Sequence, residues 1–365
     1  MIVLHAAETI KGGVATVINS LVDYQVEQEE IDELICLVPS DQADNLLNTN
    51  NLQIFQFQRK GRNILGMLAF FFSFLKLIIQ NKPDVIHLHS SFAGLMGRIA
   101  ILLSGRRHKT RVIYCPHAFG FLMQTSPIKK RIYSIAELFL ANFTDKIICV
   151  SQSEYDSAVK AGFKKSKLVV IHNGVQIKSK SNTFTANNKT HYKLIFVGRF
   201  DYQKGIDILS EAIELLAKKN TNIFYEFTLI GEAVNSEDLI QFKDSKNIKI
   251  NELGWLKPHQ LEEQYLNHDA LVIPSRWEGF AMVPLEAMSY GLPIIASNIE
   301  AFIELEDNEQ PHMKFFKLNS ESLSFCLEQI HTIDFSRNSQ NSIKVFKRRY
   351  SEDLMNEATI KLYQF

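Results

Sequence analysis

Short apolar runs alternate along the chain with longer stretches whose apolar residues recur every third or fourth position, the marks of buried strands and amphipathic helices. Strands are predicted over Ile2–Leu4, Glu33–Val38, Val85–Leu88, Arg111–Cys115, Lys146–Val150 and Leu168–Ile171. The helices between them cover Val14–Val26, Ile64–Gln80, Phe92–Leu103, Ile128–Phe143 and Ser153–Ala161. Residues 173–191 are polar, rich in Ser, Thr, Asn and Lys, and without apolar period, which reads as a linker. The alternation then restarts, with strands over Lys193–Val197, Tyr225–Ile230, Ile248–Glu252, Leu271–Ile273 and Ile294–Ala296. Helices fall over Ile206–Lys219, Ser236–Lys243, Gln260–Asn267 and from Met282 to Gly291, and a last one runs to Tyr363 behind Ser351 as N-cap. Such alternation predicts mainly parallel sheets with helices on both faces. The expected class is α/β, with two facing Rossmann-like domains and a cleft between them. Their expected limits are 1–172 and 192–340, with 173–191 as linker and 341–365 as a helical tail packing back toward the first domain.

One run departs from the pattern. Ile64 to Ile79 is apolar apart from a few positions such as Lys76, and is flanked by Arg59, Lys60, Arg62 and Lys82. A spanning helix needs about 20 apolar residues, so this segment is expected to be a core helix or one lying partly on a membrane surface. Charge sharpens that reading. The 365 residues carry 40 Lys+Arg against 40 Asp+Glu, so whole-chain charge gives no reason to expect a nucleic-acid partner. Between Arg59 and Arg131, however, Asp84 is the only acid among many bases. A segregated basic segment around an apolar helix suits an anionic membrane surface. The four cysteines are far apart in sequence and expected to be free thiols of a reducing compartment. The N-terminus is too short and too polar for a signal peptide.

Candidate chemistry lies mostly at strand ends. The stretch from Pro274 to Ser297 reads as strand end, Gly-containing loop, helix and strand, and holds Glu278 in the loop and Glu286 in the helix. Both carboxylates can reach the space above the carboxyl ends of the strands, where α/β sheets bind ligands. In Gly198-Arg-Phe-Asp-Tyr-Gln-Lys-Gly205, Arg199 and Lys204 flank another strand-to-helix turn, a pair of cations suited to a diphosphate. Gly12-Gly13 occupies the first such turn, where a backbone can approach a phosphate, although the full GxGxxG fingerprint is absent. His117 closes a strand as a hydrogen-bonding group or proton carrier. His87 and His89 share one face of a strand as metal ligands would, but no third ligand is evident nearby, so no metal site is expected. No Asp-x-Asp occurs, so a diphosphate is expected to meet basic residues and helix ends rather than a cation.

These motifs together resemble the group 1 (family 4) retaining glycosyltransferases of GT-B architecture. The resemblance runs nearly end to end, through Gly12-Gly13, Pro116-His-Ala-Phe119, Val150-Ser-Gln-Ser-Glu154, Asn173-Gly-Val175, Gly198–Gly205 and the setting of Glu278 and Glu286. His87-Leu-His-Ser-Ser-Phe-Ala-Gly94 and Tyr114–Phe121 give it the flavour of bacterial surface-polysaccharide enzymes, in capsule, O-antigen, lipopolysaccharide or exopolysaccharide synthesis. It implies a hexosyltransferase-type enzyme with a first domain on the acceptor side and a second that binds a nucleotide sugar, UDP-linked in preference to GDP-linked. The acceptor would be a lipid-linked saccharide at the cytoplasmic face of the inner membrane. No cofactor and no metal are expected. By the same resemblance Arg199 and Lys204 would neutralise the leaving diphosphate, and Glu286 would bind the ribose hydroxyls. Glu278, with the Gly279-Phe280 and Met282-Val283 backbone, would meet the donor sugar. His117 would touch that sugar, and Gly13 would let the first loop approach the diphosphate or acceptor. Retention in the family is ascribed to front-face attack, so no base or covalent nucleophile is assigned. Three positions depart from the pattern: Gly231-Glu-Ala-Val, Ser297-Asn-Ile-Glu, and Ala281 where Gly or Pro is frequent. An epimerase on the same architecture and a non-catalytic sugar-nucleotide-binding protein are the alternatives.

Overall fold

The computed structural model describes residues 1–364 except 47, 48, 50, 60–62, 123–125, 183, 185–188, 220 and 234–239. It divides the chain into two units, Met1–Val175 with Glu352–Phe365, and Gln176–Ser351.

In the first unit the aliphatic runs become β1 (Ile2–Ala7), β2 (Glu33–Pro39), β3 (Leu52–Phe57), β4 (Val85–His89), β5 (Arg111–Cys115), β6 (Lys146–Cys149) and β7 (Leu168–Val170). They form one seven-stranded sheet in the order β3-β2-β1-β4-β5-β6-β7, parallel throughout. The connections are α1 (Gly13–Gln25), α2 (Ile64–Asn81), α3 (Ser91–Leu103), α4 (Pro127–Ala141) and α5 (Gln152–Lys160), and the C-terminal α12 (Glu352–Lys361) packs against α1. Leu4, Leu37, Phe70, Phe74, Ile86, Leu88, Val112 and Ile147 form the centre of the core. Each such side chain stabilises the fold by about 1.5–3 kcal/mol through area removed from water.

The apolar run 64–79 divides into a buried face and an exposed one. In α2, Phe70, Phe74, Leu77 and Ile78 enter the core, while Ile64, Leu65, Leu68, Phe72 and Ile79 are exposed. Its 18 residues are apolar enough by length and composition to cross a membrane, yet one face is committed to the domain core. Asn63 starts the helix by accepting from the Gly66 amide, 2.8 Å away, and Lys82 ends it in the left-handed conformation.

The second unit repeats the plan with β8 (His191–Val197), β9 (Phe224–Ile230), β10 (Ile248–Gly254), β11 (Ala270–Ile273), β12 (Ile294–Ser297) and β13 (Met313–Phe316). The order is β10-β9-β8-β11-β12-β13, again parallel. Its helices are α6 (Ile206–Ala217), α7 (Pro258–Asn267), α8 (Met282–Ser289), α9 (Glu300–Ile303), α10 (Ser320–Glu328) and α11 (Phe335–Arg349). Strand order reverses between β8 and β11, as it does between β1 and β4. The crevice at such a point, outside the carboxyl ends of the strands, is where open α/β sheets take ligands.

Three expectations change. The segment 341–365 is not one piece: α11 belongs to the second unit and α12 to the first. Of the helix expected over Ser236–Lys243, residues 236–239 lie outside the described residues, and 240–243 are not helical. The strands β3 and β13 and the helices α9, α10 and α11 were not expected. β3 sits at the sheet edge with a mixed polar sequence, and α11 is too polar for its apolar positions to stand out as a run.

Candidate active site

The loops that leave β8 and β11 meet in a polar cluster of the second unit. Tyr202, Gln203 and Lys204 come from the first, Ser275, Arg276, Trp277 and Glu278 from the second. Two glycines allow close backbone approach, Gly205 between the β8 and β11 loops and Gly231 between the β9 and β8 loops. Gly205 has φ +69°, and a Cβ there would stand 2.0 Å from the Pro274 carbonyl oxygen. Gly231 has φ +137°, and its Cβ would stand 1.8 Å from the Gly198 oxygen. Any side chain at either position collides with backbone.

Arg276 joins the two loops. Its guanidinium donates to both oxygens of Asp207 at 2.7 and 2.6 Å, to the Tyr202 carbonyl at 2.7 Å, and lies 3.7 Å over the Tyr202 ring. Its own amide donates to the Gln203 carbonyl at 2.8 Å. Burial works upward on the Asp207 carboxyl, but the Arg276 pair and backbone amides outweigh it and hold it below its ordinary range. On this frame Lys204 Nζ donates to Glu278 Oε1 at 2.7 Å, and Ser275 Oγ donates to the same oxygen at 2.8 Å. Arg199 pairs with Asp201 at 2.9 Å and donates to Gln203 Oε1 at 2.9 Å. Both cations are therefore oriented before any ligand arrives. A lysine ammonium carries three donors and a guanidinium five, so these contacts leave each with capacity for phosphate oxygens.

Helix α8 begins at Ala281, which supplies no side-chain cap. The first-turn amides of Met282 and Val283 have no intrahelical acceptor, and the helix start favours negative charge. Four residues into α8, Glu286 accepts from the Tyr265 hydroxyl of α7 at 2.8 Å. Burial raises the Glu286 carboxyl above its ordinary range, against the lowering effect of Tyr265 and Lys178. Thus Arg199, Lys204, Glu278, Gly279, Phe280, Met282, Val283 and Glu286 come from the strand ends and helix starts beside the β8/β11 switch point. Sequence reasoning missed Ser275, Arg276, Asp207 and Tyr265. Arg276 and Asp207 are 69 positions apart, and only the parallel register of β8 and β11 makes them neighbours.

Gly13 and His117 belong to the first unit. Gly13 opens α1 behind Gly12, whose φ is +54°. His117 and Ala118 follow β5 with φ +51° and +101°, a costly conformation for residues with a Cβ. The turn is held by Glu154, which accepts from the amides of Ala118 and Phe119 at 3.2 and 3.1 Å and from Val150 at 2.8 Å. Burial lowers the His117 imidazole to about 4, so near neutrality it is an uncharged hydrogen-bonding ring.

The premise that His87 and His89 lack a third partner is corrected. His5 on β1 lies opposite His87 on β4, and one ring nitrogen of each of His5, His87 and His89 lies within 4.8 Å of the others. A lone His in the first strand gives no sign of this until the β1–β4 pairing is known.

Two doubly wound parallel units in one chain are the plan of the GT-B class. Residues 178–332 match the family described as glycosyl transferases group 1, and residues 11–179 match glycosyltransferase family 4. A Klebsiella pneumoniae protein named "Uncharacterized 41.2 kDa protein in cps region" is 36% identical over 377 residues, covering 100% of this chain and 99% of its own. The Escherichia coli UDP-Gal:alpha-D-GlcNAc-diphosphoundecaprenol alpha-1,3-galactosyltransferase is 30% identical over 252 residues, 65% of this chain and 63% of its own. Among solved structures, Anabaena HepE in complex with UDP superposes with a TM-score of 0.74 at 17% identity, covering 99% of each chain. The chain belongs to the group 1 glycosyltransferases.

Proposed function

We propose that this glycosyltransferase moves a hexose from a UDP-sugar to a lipid-linked saccharide during synthesis of a bacterial surface polysaccharide, with retention at the anomeric carbon. The observation that carries the donor reading is the preset pair Arg199 and Lys204 beside the uncapped start of α8, at the β8/β11 switch point. In the reaction the bond from sugar C1 to the β-phosphate oxygen breaks and a bond from C1 to an acceptor oxygen forms. The acceptor's proton passes to the departing phosphate oxygen, and UDP leaves. Negative charge grows on that oxygen, so fixed cations and helix amides aimed at it lower the barrier. Glu286 takes the ribose hydroxyls and Glu278 a donor-sugar hydroxyl.

Support for UDP and for a lipid diphosphate comes from the Escherichia coli relative, whose name specifies both. The bound UDP of the Anabaena neighbour agrees with the same donor class. No metal is needed for this reading, because Arg199, Lys204 and the α8 amides supply the positive potential. A location at the cytoplasmic membrane face is supported by the first unit's surface. Ile128, Ile132, Ile135 and Phe139 line the exposed side of α4, with Lys129 and Arg131 also exposed. Leu65, Leu68 and Phe72 do the same on α2, and α3 packs against both helices. An apolar stripe rimmed by Lys and Arg is the composition of an interfacial binding face.

The test is transfer from a panel of UDP- and GDP-sugars to an undecaprenyl-diphosphate-linked saccharide, with the product's anomeric configuration read by NMR. The proposal expects UDP-dependent transfer with retention, lost in Lys204→Ala and Glu286→Ala while both variants stay folded. Inverted product, or conversion of donor without acceptor, refutes it; the second result is the mark of an epimerase.

A further inference from the structure

We propose that His5, His87 and His89 bind one transition-metal ion of the zinc class, at a site built into the parallel sheet of the first unit. The three side chains are 0–1% exposed. β1 and β4 pair so that His5 faces His87 and Ala7 faces His89, which puts all three imidazoles on one face. The outer nitrogen of each ring already has a partner. His5 Nε2 donates to Gln25 Oε1 at 2.8 Å, His87 Nδ1 meets the Tyr363 hydroxyl at 2.8 Å, and His89 Nδ1 meets His117 Nε2 at 3.2 Å. This is the arrangement found around metal-binding histidines, where the second nitrogen's hydrogen bond fixes ring orientation and tautomer.

The nitrogens left over are His5 Nδ1, His89 Nε2 and His87 Nε2. The first two are 2.9 Å apart and without an ion must share a single proton. His87 Nε2 is buried and has no hydrogen-bond partner among the described residues. A buried nitrogen left without a hydrogen bond keeps its desolvation cost uncompensated, and an ion accepting all three lone pairs removes that cost. Zinc-class ions sit about 2.0–2.1 Å from imidazole nitrogen, so the close pair needs to open by only a few tenths of an ångström. An all-nitrogen set selects zinc, cobalt, nickel or copper over magnesium or calcium. A cavity of about 10 Å³ beside His87 and His89 leaves room for no more than a water as fourth ligand. The ion would tie β1 to β4 and, through Tyr363, to the C-terminal residues, and no step of sugar transfer passes through it.

The experiment uses tag-free full-length protein, stripped with chelator and titrated with Co²⁺, followed by visible absorption and by X-ray absorption of the Zn²⁺-loaded form. One equivalent is expected, with the strong visible bands of a four-coordinate cobalt site and a zinc shell of imidazole nitrogens without sulfur. His87→Phe and His5→Gln should abolish the bands, whereas His259→Ala, at an exposed histidine, should leave them. Gln25→Leu, which removes an outer partner, should weaken affinity about 10–100-fold. No binding by the stripped wild type overturns the proposal, as does binding unchanged in the two ligand variants. If those variants fail to fold, the wild-type X-ray absorption decides: a shell containing sulfur, or of oxygen alone, overturns it.

Discussion

Acidification from about pH 7 to about pH 5 is expected to destabilise the first unit far more than the second. His5 and His117 are pushed by burial to about 4, from an ordinary 6.5, and burial lowers His87 and His89 as well. The unfolded chain takes up protons as pH falls through 6.5, whereas the folded chain refuses them until near 4. Stability is therefore full above 6.5 and is lost between 6.5 and 4. Integrated from about pH 7 to about pH 5, one such imidazole costs on the order of 2 kcal/mol, and His5 with His117 about 4 kcal/mol. His87 and His89 add with the same sign. In the second unit His268 is also lowered, but Glu286, raised by burial, opposes it. The carboxyls held below their ordinary range, such as Asp41 and Glu306, lose stability only as pH falls below that range. The two tryptophans, Trp255 and Trp277, both lie in the second unit. Urea unfolding of chelator-treated protein should thus show a midpoint falling with pH by far-UV circular dichroism, and less by tryptophan fluorescence. His117→Asn should flatten the dichroism dependence by about 2 kcal/mol. An unfolding free energy that stays level between the two pH values, or falls equally in the variant, refutes the reasoning.

Three further outcomes follow from other parts of the molecule. Arg98 donates to Glu137 at 2.6 Å, Tyr114 donates to the same carboxylate at 2.8 Å, and all three are buried; Glu137→Ala strands a buried guanidinium and should cost about 3–5 kcal/mol in chemical denaturation. Gly205→Ala meets both a positive φ and the Pro274 oxygen, so it should lower stability by at least about 1–2 kcal/mol and donor affinity further by parting the β8 and β11 loops. The protein should float with vesicles containing anionic lipid at low salt and dissociate as salt rises, and Phe72→Asp with Ile132→Asp should abolish flotation; flotation unaffected by salt and by both changes would refute the α2–α4 face.

Much of this was legible because buried parallel strands write themselves as apolar runs and strand ends carry the polar exceptions. Arg199, Lys204, Glu278 and Glu286 stand out as charged residues beside Gly and Pro, and the structure puts them beside one switch point. Pairings across the sheet were not legible. His5 gains meaning only beside His87, Arg276 only against Asp207, and Tyr265 only against Glu286. The edge strand β3 and the polar helix α11 were missed because neither buries enough apolar surface to leave a run. The expected limits closed the second domain at 340, whereas the compact units change at 351/352, with α12 grouped in the first.

The central claim is that the β8/β11 switch point holds the diphosphate and ribose of the donor. Calorimetric titration with UDP tests it most directly, using wild type, Lys204→Met and Glu286→Gln. Saturable binding is predicted for the wild type, weakened at least about tenfold in each variant, the equivalent of about 1.4 kcal/mol. Equal affinity in all three proteins, or no binding by the wild type, would contradict it.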